Sequence, residues 1–424
     1  MTLQDLQQRQ IWTRTARLGK AGGRVLTSPV AVFTLALIAR LRVLSELLPA
    51  HTSSGFYRYN EPSHIAWALA SGFGYSAPWP NTPVLPTAQQ PPIYPMLVAA
   101  IFKLAGPYSY LSLWIALGLN AVLSALTGVL ILRIGRREFG TLAGVLAAWM
   151  WSCWLYEAAV AIRLWESTIA ALLLMFGLLM LPALANSLRP LYWILFGALV
   201  AVAALTNTTL LSVFPFFWLT LWLLYRRRRQ SCARMLFASL AICALVLLPW
   251  TIRNYVVFHR LFPVRDNFGL ELWVGVELGS GKPGAPMTRL FPRDFPLSNP
   301  TEYNRLGEIA FMDSRLQMAK QYIRQDPGEY LRLVVIRCLK FWRDPPDTPW
   351  LAISGLAWLG AILALARKHL DALPYVMVLV NFPLVYYITH TFPTYRHPIE
   401  PVMLLLAAYS VVACGKTMVR KAGV

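Results

Sequence analysis

The chain alternates long apolar runs with short polar or basic stretches, a pattern that predicts membrane-spanning helices. A helix needs roughly 20 apolar residues to cross about 30 Å of hydrocarbon. The runs that approach this length are Ser28–Leu48, Tyr110–Leu132, Thr141–Leu155, Ser167–Leu184, Leu191–Leu205, Leu210–Leu224, Leu236–Pro249, Trp350–Ala366, Leu373–Thr389 and Pro398–Ala413. The break between the fifth and sixth rests on Thr206-Asn207-Thr208-Thr209 alone.

One further run, "PPIYPMLVAAIFKLAG" at 91–106, is too short between its breakers to span and reads as an interfacial or re-entrant helix. Excluding it from the spans puts every short basic stretch on one side. These are Arg133 to Arg137, Arg189, Arg226 to Arg229, Arg367-Lys368, and Lys416, Arg420 and Lys421 in the tail. Basic loops face the cytoplasm, so the pattern predicts about ten crossings with both termini inside. A basic arm occupies 1–27 and a short tail 416–424. Two long connections, 49–109 and 251–349, then fall on the outer face, together with the turns at 163–166 and 391–397. The acidic, aromatic and histidine-bearing segments gather there.

Composition agrees with this reading. Hydrophobic residues make up 57% of the 424-residue chain and charged residues 14%, well below the roughly one quarter charged that a soluble domain carries. The formal charge of +20 would suggest nucleic acid in a soluble protein, but here it sits in the loops as membrane-orienting charge, and no nucleic-acid partner is expected. The N-terminal arm lacks the short apolar core and small-residue site of a cleavable signal. The five cysteines show neither disulfide nor zinc spacing. Phosphate-loop, dinucleotide, HExxH and GxSxG patterns do not occur, so any group transfer must draw on an already activated donor.

Four segments could carry chemistry. Glu61, in "YRYNEPSHIAWALAS", enters a helix with Pro62 in its first turn. It is readable as a charge that complements the helix dipole or as a general base at the membrane surface. Glu166, in "AIRLWESTIAALLL", stands at the head of a span, three residues after Arg163, and is open to reading as an ion pair or as a second acid. The stretch "LPWTIRNYVVFHRLFPVRDNFGLELWVG" places Arg253 and Asn254 just past a span, with His259, Arg260, Arg265 and Asp266 behind them. Guanidinium forks suit phosphate. In "HTFPTYRHPIEPVMLLL", His390 and His397 give a weak metal signal, and Arg396 reads more economically as a phosphate ligand. Arg40 and Arg42 in the first span either snorkel outward or face a polar cavity.

The order of "PTAQQPPIYPMLVAAIFKLAG", "RREFG", "RLWE", "PWTIRNYVVFHRLFPVRDNFGLELWVG", "DPGEYLRLVVIRCLKFW" and "YRHPIEPVMLLLA" resembles bacterial membrane glycosyltransferases of the GT-C superfamily. The nearest type is glycosyltransferase family 39, relatives of protein O-mannosyltransferases and aminoarabinose transferases. The resemblance implies an all-α polytopic bundle of about ten transmembrane helices with juxtamembrane helices on the outer face. It implies a multi-pass enzyme of the inner (plasma) membrane that moves a sugar from a polyprenyl-phosphate donor to a lipid, protein or glycan acceptor. Glu61 matches the acid of the first outer loop, although that family commonly has Asp or an Asp-Glu pair there. Glu166 resembles the second outer acid. Arg396 resembles the arginine facing the donor phosphate, with Arg253, Asn254 and His397 as further candidates. Metal dependence stays open, a divalent ion being compatible with the family. The competing reading is a transporter or lipid flippase, for which charges at the midplane and an inverted repeat are the expected marks.

Overall fold

The computed structural model describes residues 25–53, 60–76, 84–279, 300–345 and 348–421. Among these the chain is helical throughout, apart from an isolated bridge between Ser76 and Pro86. The expected basic arm lies almost wholly outside the described residues, as do 54–59, 77–83 and 280–299.

Every apolar run identified in the sequence folds as helix. The helices are α1 (Pro29–Ser53), α2 (Glu61–Ala70), α3 (Ile93–Ala105), α4 (Tyr110–Glu138), α5 (Thr141–Cys153), α6 (Leu155–Ala161), α7 (Ser167–Ala185), α8 (Pro190–Ala204) and α9 (Phe214–Arg227). They continue with α10 (Ala233–Phe258), α11 (Phe268–Gly279), α12 (Pro300–Leu306), α13 (Glu308–Gln325), α14 (Pro327–Arg343), α15 (Trp350–Lys368), α16 (Leu373–Asn381), α17 (Leu384–Ile388) and α18 (Glu400–Lys421). Six helical stretches are long and apolar enough to cross a membrane: 110–138, 167–185, 208–227, 233–258, 350–388 and 393–416. The run at 91–106 forms α3, whose 13 residues extend only about 20 Å.

Two boundaries differ from the sequence reading. Helix α10 continues through Pro249 to Phe258, so Arg253 and Asn254 lie in its last turns rather than beyond it. Proline forfeits one backbone hydrogen bond, yet the helix runs on past it and closes at His259 in the left-handed region (φ 52°). The run 373–389 divides into α16 and α17 at Pro383. The long connection 251–349 supplies four helices among its described residues, α11 to α14.

Burial separates inner from peripheral helices. The apolar window of the last span is 78% buried, whereas that of α10 is only 17% buried and packs mainly along α8. Helix α18 therefore runs through the middle of the bundle, against α15 and α5. Close helix approach without a hydrophobic driving force needs small residues. Gly135 of α4 meets Gly144 of α5 so closely that a Cβ on the former would lie 2.4 Å from the latter's Cα.

Arg40 takes neither of its expected roles. It is fully buried and donates to the carbonyls of Trp151 (2.9 Å) and Ser152 (3.2 Å) and to Ser124 Oγ (2.8 Å). Those carbonyls belong to the last turn of α5 and lack helical partners. Arg40 thus closes one helix from another, with its guanidinium over the Trp151 ring. Arg42 is exposed and pairs with Glu46 at 3.0 Å.

The two ends of the bundle differ in chemistry. Helix α7 starts beside Glu166 and ends at Ala185, whose carbonyl accepts from Arg228 at 2.6 Å. Its 19 residues separate the two ends by about 28 Å, close to a hydrocarbon thickness.

Candidate functional site

Glu61 is the first residue of α2, and Pro62 follows it in the first turn as the sequence suggested. Its carboxylate receives the side-chain amide of Gln90, the residue that precedes the Pro91-Pro92 entrance to α3. Glu166 occupies the N-cap position of α7 and is 4% exposed. Its Oε1 accepts from Asn207 Nδ2 at 3.4 Å, and Oε2 has no hydrogen-bond partner. Asn207 sits in the break between α8 and the 3-10 turn Thr208–Ser212, where its Oδ1 also caps Thr209 N at 3.0 Å.

Beside these acids the connection after α10 contributes Arg265 and Glu271, whose charges act on both carboxyls. Arg265 approaches Glu271 at 3.6 Å, is 20% exposed, and its Nε is buried without a partner. Glu271, in the first turn of α11, accepts from Asn267 Nδ2 at 2.5 Å and lies 3.4 Å from His390 Nδ1. His390 Nε2 shares a hydrogen bond with the Tyr395 hydroxyl at 3.1 Å, and the Tyr386 hydroxyl meets Thr209 Oγ1 at 3.1 Å. Three carboxylates, one guanidinium and a tyrosine-histidine wall from four separate stretches of the chain thus surround one region.

Electrostatics follow from this crowding. Burial pushes the Glu61 carboxyl up to about 7; the Glu271 and Glu166 charges add to the rise, and Arg265 and the Gln90 amide oppose it. Burial also lifts Glu166 to about 7, against its own backbone hydrogen bond, Arg265 and Asn207. Burial lowers His390, while Glu271 pulls it the other way. Two acids from separate parts of the chain with proton affinities near neutrality suit proton transfer at the working pH.

The other expected residues have different partners. Arg253 gives Nη1 to the Thr87 carbonyl (2.8 Å) and Nη2 to the Tyr75 carbonyl (3.0 Å). Asn254 is fully buried and donates to the carbonyls of Phe262 (3.5 Å) and Val264 (3.3 Å), which fixes the turn that delivers Arg265. Arg260 forms a two-pronged pair with Asp313 at 2.8 and 2.9 Å.

Arg396 and His397 form a second cluster with Glu157 and Glu400. Arg396 is 1% exposed, pairs with Glu400 at 3.2 Å, donates to the carbonyls of Phe341 and Asp344, and lies over the Trp350 ring. His397 Nδ1 lies 3.1 Å from Glu157 Oε2 and 2.9 Å from Glu400 Oε2, with its ring stacked on Trp151. The structure therefore brings Glu61 and Glu166 together around Arg265, and groups Arg396 and His397 elsewhere. A phosphate at Arg396 would have to displace a buried carboxylate and two carbonyls. Among the described residues, one set of three side chains gathers ligand atoms within 4.8 Å, and it is Glu157, His397 and Glu400 rather than the acids around Arg265.

Glu271, Gln90 and Asn207 were not singled out from the sequence. The visible signal for Glu271 was an acid interrupting the apolar "FGLELWVGVELG"; the two amides carried none.

No protein-family model and no curated protein sequence matches the chain. Solved structures do. The Archaeoglobus fulgidus oligosaccharyltransferase AglB, in complex with an inhibitory peptide and a dolichol-phosphate, aligns with a TM-score of 0.51 at 12% identity, covering 93% of this chain and 51% of that one. The apo form of the same oligosaccharyltransferase gives a TM-score of 0.54 at 14% identity with the same coverage. The chain shares its fold with the part of that oligosaccharyltransferase it covers. The chain spans about half the length of the oligosaccharyltransferase it matches. ArnT from Cupriavidus metallidurans bound to undecaprenyl phosphate aligns at 15% identity over 90% of this chain and 77% of that one, with a TM-score of 0.35.

Proposed function

We propose that this protein is a multi-pass membrane glycosyltransferase that moves a sugar from a polyprenyl-phosphate donor to an acceptor on the extracytoplasmic face. The observation that carries the reading is the convergence of Glu61, Glu166 and Glu271 around Arg265 at one end of the bundle. The GT-C fold, shared with a transferase solved with dolichol-phosphate, supports the donor class. The basic helix ends at Arg228, Arg137 and Lys368, a helix length away, support an orientation with the acids outside. In that orientation the chain crosses about ten times. Helix α14 leaves Leu331, Val335 and Leu339 exposed, an apolar stripe suited to lying on lipid at the outer surface.

In the proposed reaction the acceptor's hydroxyl or amine attacks the anomeric carbon as Glu61 takes its proton. The bond from that carbon to the phosphate oxygen breaks, and the polyprenyl phosphate leaves with the electron pair. A single displacement inverts the anomeric centre. Arg265, with an unsatisfied Nε and one carboxylate at 3.6 Å, is the guanidinium best placed to stabilise the leaving charge. Arg253 and Asn254 act behind it, fixing the backbone on either side of the site, and Glu166 orients the acceptor.

The test uses protein reconstituted in liposomes with labelled undecaprenyl-phosphate-linked hexoses and pentoses, following release of the sugar to water or an added acceptor. Wild-type protein should release sugar from at least one donor, and Glu61→Gln should lower the rate about 10²- to 10⁴-fold. Equal rates in both would overturn the role of Glu61.

A further inference from the structure

Glu308 opens α13, more than two hundred positions from Glu61, and is 4% exposed. Its carboxylate accepts three hydrogen bonds: from Thr87 Oγ1 at 2.5 Å, Ala88 N at 2.6 Å and the Tyr303 hydroxyl at 3.0 Å. On the opposite side of the same strap, the Thr87 carbonyl accepts from Arg253, and the Tyr75 hydroxyl donates to the Gln90 carbonyl at 2.8 Å. The strap 87–90 is thus gripped at both ends. Its last residue, 2% exposed, presents its amide to Glu61.

We infer that Glu308 is a positioning residue: by clamping the 87–90 strap it holds the Gln90 amide on the Glu61 carboxylate, and so couples the second outer segment to the proposed base. The inference rests on the proposed role of Glu61. Two other carboxylates, Glu166 and Glu271, raise the proton affinity of Glu61, and the Gln90 amide joins Arg265 in lowering it, with the Tyr395 hydroxyl also facing the group. On the far side the charged or titratable groups around Glu308 are Arg253, Tyr303 and Tyr75. Losing a donor to a carboxylate favours its protonated form, and displacing a reacting group by about 1 Å costs about 10²-fold in rate.

The experiment compares Glu308→Ala, Glu308→Gln, Gln90→Leu and the Glu308→Ala/Gln90→Leu double variant in liposomes. Glu308→Gln keeps an oxygen for Ala88 N and an amide for the Thr87 hydroxyl. Sugar release should fall about 10- to 10²-fold in Glu308→Ala, with its acidic limb moved to higher pH, and recover in Glu308→Gln. Gln90→Leu should give the same alkaline displacement, and the double variant no further loss. Infrared titration of the carboxyl assigned through Glu61→Gln should move in parallel, without reference to turnover. Thr87→Val, which removes one of the three bonds, gives the same displacement in smaller measure and serves should Glu308→Ala not fold. An unmoved Glu61 titration in a folded variant, or losses that multiply in the double variant, overturns the inference. A wild type that releases no sugar yet shows the infrared displacement defeats the proposed function and leaves the clamp standing.

Discussion

Asn207 Nδ2 reaches Glu166 Oε1 across 3.4 Å, tying the break between α8 and α9 to the acid at the head of α7. The amide is Glu166's side-chain hydrogen-bond donor in a site where the other oxygen has none. Replacing Asn207 with Leu removes that donor at nearly constant volume and raises the acid's proton affinity further. Sugar release should fall about tenfold at neutral pH and recover partly as pH rises, read as a pH–rate profile of the reconstituted variant.

Glu61 and Glu166 both titrate near 7 instead of 4.5. A base works in its ionised form, so the rate should fall as pH drops through about 7, more than two units above an ordinary carboxylate. The stability sign is the opposite. The folded state holds these protons more tightly than the unfolded chain, so raising pH from about 4.5 through 7 removes stability. Thermal unfolding in detergent should show a lower midpoint at pH 8 than at pH 5.5, and Glu166→Gln should flatten that slope.

Arg265 stands where leaving phosphate charge would develop. Arg265→Ala should lower the rate about 10²- to 10³-fold, and Arg265→Lys should restore only part of it, because an ammonium cannot offer two parallel donors. Steady-state kinetics with a labelled donor separates a lost kcat from a raised KM.

Arg396 is a partner in a buried ion network, and removing one member strands the others. Arg396→Met should cost about 3–5 kcal/mol of stability and reduce the yield of folded protein. Donor KM in the fraction that folds should stay near wild type. A raised donor KM with unchanged unfolding would restore Arg396 as a phosphate ligand.

Gly275 sits one turn beyond Glu271, and a Cβ there would lie 1.8 Å from the Thr389 carbonyl oxygen. Gly275→Ala must push α11 away from His390. A loss of at least tenfold in sugar release, with the helical content of the far-ultraviolet spectrum retained, is the expected result.

Much of the fold was legible because apolar periodicity and basic loops are one-dimensional signals. Every long apolar run became helix, and the loose break at Thr206 to Thr209 proved real. Glu61 and Glu166 were readable because a carboxylate beside hydrocarbon is costly and stands out. The partners that complete the site were less so. An arginine in a polar stretch is readable as a phosphate ligand at 253, 265 or 396, and although the sequence favoured 396, only three-dimensional packing distinguishes one with a free nitrogen from two spent on carbonyls and carboxylates. Helix α10 hid its true end because Pro249 resembles a stop, whereas the helix carries it in its interior and ends only at Phe258. Amides such as Gln90 and Asn207 are silent in sequence because any loop contains them.

The central position of α18 decides where the bundle can absorb change. Most of its apolar window is enclosed, so a larger side chain there has little free face to turn to and must be met by shifts in α5 and α15. Helix α10, most of whose window is uncovered, can take the same substitutions without moving a neighbour.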